Sequence, residues 1–189
     1  MEVFETRDEM INWLPKGGCW VELGVFAGEF AKKLYDIGKP DNLILVDLWN
    51  DGPQFSGDRD GNNGTHYDGK ELQNHVYNMF KDMKNVHIYK NYSSVIMNGL
   101  PDNTIDVVYI DADHSYEGCK IDLELAYKKV KPGGWICGHD YLICGDKTKS
   151  LYNFGVRRAV NELCKEKNLK IQALGQDGYV SFAIQNTKT

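Results

Sequence analysis

Two short blocks of this sequence carry residue types that can do chemistry. Asp111-Ala-Asp113-His114-Ser-Tyr116 closes the apolar run Ile105-Asp-Val-Val-Tyr-Ile, and Gly138-His139-Asp140-Tyr141 closes Trp135-Ile-Cys. If the two runs are neighbouring strands, with axes about 4.8 Å apart, Asp111 and Asp140 converge at one sheet edge. Two carboxylates with histidines beside them make a site suited to a divalent cation such as Mg2+ or Mn2+. An imidazole with an ordinary pKa of about 6.5 suits base work at neutral pH, and His114 and Asp111 are the candidate catalytic residues. The competing reading is structural: each Asp caps the helix that follows, and each His is a polar strand-end residue.

A third block, Val21-Glu22-Leu23-Gly24-Val25-Phe26-Ala27-Gly28, reads as a strand-to-helix turn. Its glycines let backbone approach a ligand closely. Phe26 and Glu29 stand where the dinucleotide pattern G-x-G-x-x-G needs its second and third glycines, and no Gly-Lys-Ser/Thr follows, so neither that pattern nor a P-loop is present. Glu22 favours a cationic ligand. The next strand ends at Asp47, 23 residues after Gly24, where an acid can accept hydrogen bonds from ribose hydroxyls. Ser93, beyond the third strand, is placed to contact an adenine edge, and Trp49 is either a ring beside the ligand or a core residue. Glycine turn, ribose acid and polar adenine contact at successive strand ends describe a nucleoside site.

The elements that must position these residues alternate. Strands are expected at 19–24, 42–47, 86–89, 105–111 and 135–138, with helices over 28–38, 70–83, 117–130 and 154–167. Thr6-Arg-Asp-Glu9 is a capping box opening a short first helix. Two final strands, 170–174 and 179–184, flank Gly175-Gln-Asp-Gly178 as a hairpin. This order predicts an α/β fold: a doubly wound, mostly parallel seven-stranded sheet with a C-terminal antiparallel hairpin, binding ligands beyond the strands' carboxyl ends. Residues 50–69 are long, polar and glycine-rich, either a lid over the site or an insertion without a role.

Composition bounds the rest. The chain has 189 residues, 42% hydrophobic, enough for one domain spanning 1–189 and too apolar for disorder. Lys plus Arg total 22 against 27 Asp plus Glu, a net charge of −5 that argues against a nucleic-acid partner. No run suits a bilayer span, and the acidic start lacks an apolar signal region, so no membrane partner is expected. Five scattered cysteines without C-x-x-C spacing suggest a reducing, cytoplasmic setting. The expected partner is a small-molecule substrate; a homodimer is left open.

Glu22, Gly24 and Gly28 in an E-x-G-x-x-x-G turn, then Asp47, then Pro132-Gly-Gly before the fifth strand, resemble the class I S-adenosylmethionine-dependent methyltransferases across essentially the whole chain. The resemblance implies a Rossmann-like methyltransferase fold and S-adenosylmethionine as cofactor. It implies contacts from the turn, Phe26 included, and from Asp47, Trp49, Ser93 and Asp111. The blocks at 111–116 and 138–141 look like the metal-dependent O-methyltransferases, most closely the macrolide-sugar and cephalosporin-hydroxylase-like types. That implies Asp111, His139 and Asp140 as metal ligands and His114 as general base, with a sugar hydroxyl or vicinal diol as acceptor. Those relatives carry Asp or Glu at position 139. His there leaves two options, an ion softer than Mg2+ or a ligand set without His139.

Overall fold

Strand-then-helix alternation forces parallel pairing, because each helix carries the chain back across the sheet before the next strand begins. The computed structural model describes residues 1–50, 68–141 and 155–188. Apart from Asn50, Asp68 and Gly69, the lid expected at 50–69 lies outside them. The chain runs β1 (Glu2–Phe4), α1 (Arg7–Trp13), β2 (Cys19–Leu23), α2 (Glu29–Gly38), β3 (Asn42–Asp47), α3 (Gly69–Phe80) and β4 (Val86–Lys90). It continues with α4 (Ser93–Gly99), β5 (Ile105–Ile110), α5 (Tyr116–Lys129), β6 (Val130–Gly138), α6 (Val156–Lys167), β7 (Ile171–Asp177) and β8 (Tyr179–Gln185).

The strands form one sheet in the order β1-β7-β8-β6-β5-β2-β3-β4. Only β8 runs antiparallel to its neighbours, pairing with β6 and β7. Seven of these strands are those expected from the sequence. The eighth, β1, adds to the β7 edge in parallel, with Glu2 opposite Ala173 and Phe4 opposite Gly175. The hairpin is tighter than expected: β7 continues to Asp177, and Gly178 makes the turn at φ 91°.

Period-two alternation sends strand side chains to two layers. Val21, Val108, Ile110 and Ile136 pack with Leu123 and Ala126 of α5 and Val160 of α6. Trp20, Leu43, Leu45, Val107 and Tyr109 pack on the other face with Met10 and Ile11 of α1, Phe30 and Leu34 of α2, and Val76 of α3. Thr6 caps α1 as expected, its Oγ1 accepting the Glu9 N–H at 3.1 Å, while the Glu9 carboxylate reaches one residue beyond the capping-box partner and accepts the Glu5 N–H at 3.1 Å.

Candidate active site

The site forms where β2, β5 and β6 end side by side. Their tips are laced by backbone bonds: Asp111 N–H to the Leu23 carbonyl at 2.7 Å, His139 N–H to Ile110 at 3.0 Å, and Gly24 N–H to Val46 at 2.9 Å. Gly24 has φ 87°, and a Cβ there would run into the Asp111 backbone carbonyl, so this glycine is demanded by strand packing itself.

Asp111, His139 and Asp140 are brought together: one donor atom from each lies within 4.8 Å of the others. His139 Nδ1 stands 3.8 Å from Asp111 Oδ2 and 3.7 Å from Asp140 Oδ2. His114 joins them, with Nε2 3.2 Å from Asp111 Oδ1 and 3.0 Å from Asp140 Oδ2. Burial opposes charge on His114, but the Asp111 hydrogen bond and the nearby Asp140 and Asp113 carboxylates outweigh it, holding its pKa above the usual imidazole value. Asp140 is 5% exposed and holds φ 58°, the left-handed region that Asp tolerates better than most residues.

The glycine turn is held by the acid expected to bind ribose. Asp47 Oδ2 accepts the N–H groups of Val25 and Phe26 at 2.7 and 2.8 Å, and Oδ1 accepts that of Trp49 at 2.8 Å. Three of the roughly four acceptor directions of a carboxylate are thus committed to backbone. Trp49 is fully buried, its indole N–H donating to the Phe26 carbonyl at 2.8 Å, and serves the core. Phe26 and Trp49 take φ 51° and 39°, costly for aromatic residues and sustained by this interlock of two loops. The Phe26 ring remains 40% exposed at the rim. Gly28, φ 87°, packs on Val76 of α3. Ser93 starts α4, and its hydroxyl donates to Asp122 Oδ1 on α5 at 2.6 Å.

Glu22 lies 1% exposed between these groups, and its Oε2 has no hydrogen-bond partner among the described residues. Burial, then the Asp111 charge, pushes its pKa well above the carboxylate range, against the pull of Arg7.

Three residues of this neighbourhood were not singled out from sequence. Arg7, the first residue of α1, lies with Cζ 4.1 Å from the Phe30 ring centroid and Nη1 3.9 Å from Asp111 Oδ2. Tyr109, fully buried, bonds Ser181 at 2.9 Å, and burial followed by the Asp111 charge holds its phenol well above its usual pKa. Asp122 is 2% exposed, and burial raises its pKa to about 6. Tyr109 and Asp122 interrupt apolar strand and helix faces and were readable as anomalies. No local signal marks Arg7, because its place depends on β1 pairing with β7.

Comparison with known proteins extends the geometry. Protein R132 of Acanthamoeba polyphaga mimivirus is 31% identical over 144 residues, 73% of this chain and 58% of that protein. The chain therefore matches less than two thirds of that relative's length. SMU.1697c of Streptococcus mutans, solved in complex with SAH, aligns with a TM-score of 0.63 at 12% identity, covering 95% of this chain and 94% of that one. Aeropyrum pernix fibrillarin, solved with natively bound S-adenosyl-L-methionine, aligns at 0.61 and 14% identity, covering 90% and 67%. These likenesses show a shared α/β Rossmann-like fold. No helix among the described residues is long and apolar enough to cross a membrane. A methyltransferase-domain family model matches residues 21–141, from the Glu22 strand through the Asp140 loop, and the chain belongs to that methyltransferase family.

Proposed function

We propose that this chain, acting as one domain over 1–189, methylates a hydroxyl of a small polyoxygenated acceptor, a sugar or vicinal diol, using S-adenosylmethionine and a divalent ion. The observation that supports this reading is the convergence of Asp111, His114, His139 and Asp140 at adjacent strand ends. Two carboxylate oxygens and one imidazole nitrogen within 4.8 Å fit an ion tolerant of mixed ligands, Mn2+ better than Mg2+. When bound, S-adenosylmethionine supplies a sulfonium-activated methyl group, and the ion lowers the pKa of a hydroxyl coordinated to it.

The chain's own residues do the remainder. Asp47 fixes the shape of the glycine turn, and buried Glu22 offers an unmatched oxygen to a cationic group. His114 takes the acceptor's proton at Nε2, its ring aimed by Asp111 and Asp140. Those carboxylates favour the protonated imidazole, so His114 acts as a base once their charge is compensated.

A second reading has its own support. The carboxylates already face cationic partners, His114 and, at 3.9 Å, Arg7, which fits a metal-independent methyltransferase of the same fold. Turnover with diol and sugar acceptors, assayed with Mn2+ and with EDTA, separates the two. Asp140→Asn is expected to reduce turnover by about 100-fold or more, while S-adenosylhomocysteine affinity, followed by thermal shift, stays within about threefold. Full activity in EDTA would remove the metal from the mechanism.

A further inference from the structure

The two histidines of the site are held differently. His114 Nε2 stands 3.2 and 3.0 Å from carboxylate oxygens of Asp111 and Asp140, within hydrogen-bond length. His139 Nδ1 stands 3.8 and 3.7 Å from the same two residues, beyond that length, and its ring makes no hydrogen bond among the described residues. Its backbone is pinned, since its N–H bonds the Ile110 carbonyl, but a backbone bond does not stop the ring from turning about χ2. What the ring does meet is Tyr179. The two centroids lie 5.9 Å apart with planes inclined at 50°, the separation of a favourable aromatic pair.

The C-terminal hairpin delivers this contact. Gly178 turns the chain at φ 91° and Tyr179 opens β8. The Tyr141 N–H bonds the Val180 carbonyl at 2.9 Å, which keeps β8 alongside the loop that carries His139 and Asp140. Strand alternation puts Tyr179 on the same face as Ser181, which bonds the buried Tyr109 of β5. A ligating imidazole is ordinarily aimed by a hydrogen bond at its second nitrogen; here a ring contact takes that part.

We infer that Tyr179 is a positioning residue for the divalent ion: its ring keeps the His139 imidazole from turning and holds Nδ1 on the side of Asp111 and Asp140. This rests on the metal-assisted reading above. It gives the β7–β8 hairpin, which lies outside the family match over 21–141, a part in the site.

The test follows Mn2+ binding to the full chain by electron paramagnetic resonance of the free ion, and S-adenosylhomocysteine binding by calorimetry. Tyr179→Ala is expected to weaken Mn2+ binding by about 10-fold, the lower end for losing a group that orients a metal ligand, with S-adenosylhomocysteine within about twofold. Tyr179→Phe, which keeps the ring, is expected to stay within about twofold of wild type on both. In a His139→Ala background, itself weaker for Mn2+, Tyr179→Ala is expected to add nothing, because no imidazole remains to be aimed. Tyr179→Leu, read in the same way, decides the matter should Tyr179→Ala not fold. Unchanged Mn2+ affinity, an equal loss with and without His139, or a His139→Ala chain that binds Mn2+ like wild type would overturn the assignment and leave the metal reading standing. Wild-type protein that binds no Mn2+ would overturn both.

Discussion

At the scale of single residues, Asp122 shows how much a buried charge matters to this fold. Its carboxylate accepts one strong hydrogen bond from Ser93 and is otherwise desolvated, which lifts its pKa from 3.8 to about 6. A raised folded-state pKa in an acid means that the protonated form is the one folding favours. The stability associated with it is present below about pH 4 and is lost as the pH rises through 6. The shift corresponds to about 3 kcal/mol between those limits. Asp122→Asn keeps an oxygen for the Ser93 hydroxyl and removes the charge. Relative to wild type it is expected to gain about 2–3 kcal/mol between pH 4 and pH 8, read from urea unfolding at the two values. A difference that does not change with pH would mean that Asp122 is solvated in the native state.

At the scale of elements, what the sequence disclosed follows from how local each signal is. β3 is legible to the residue, because Asn42–Asp47 is a continuous apolar run bounded by polar ends. The convergence of Asp111 with Asp140 was readable because both close apolar runs and β5 neighbours β6. β1, with three residues, is too short for any periodicity. α4 hides in Ser93–Gly99, seven residues beginning with two serines and ending in glycine, a composition that reads as loop. The spacing of Gly24 reads as space for a ligand; the structure adds a second demand that no local signal marks, the close approach of the Asp111 backbone on the neighbouring strand. Two substitutions separate these causes. Gly133 has φ 81° with nothing near its missing Cβ, so Gly133→Ala is expected to cost only the left-handed backbone strain, about 1–2 kcal/mol. Gly24→Ala adds a collision with the Asp111 carbonyl to the same strain and is expected to abolish the cooperative unfolding transition. Equal urea midpoints for the two variants would show that the β2 and β5 tips can part.

At the scale of the whole molecule, the far edge of the sheet and the candidate site are one structure. β1 pairs with β7 at one edge, yet the turn after it carries α1 back over the sheet, so that Arg7 arrives beside Asp111. Gly175 permits this approach, since a Cβ there would stand 2.8 Å from the Arg7 Cα. Met10, Ile11 and Leu14 anchor the segment at 0%, 0% and 2% exposure. Burying three such side chains contributes about 5–9 kcal/mol, comparable with the roughly 5–15 kcal/mol that separates a folded domain from its unfolded chain. Removing residues 1–14 would also uncover the β7 edge and the apolar surface around Tyr109 and Trp135. The family match begins at residue 21, so the alternative, a domain complete from β2 onward with an appended leader, is a real one. The packing decides against it: a chain beginning at Pro15 is expected to show no cooperative melt. A truncated chain that melts cooperatively and binds S-adenosylhomocysteine as tightly as the full chain would show that neither the core nor the cofactor site depends on this segment.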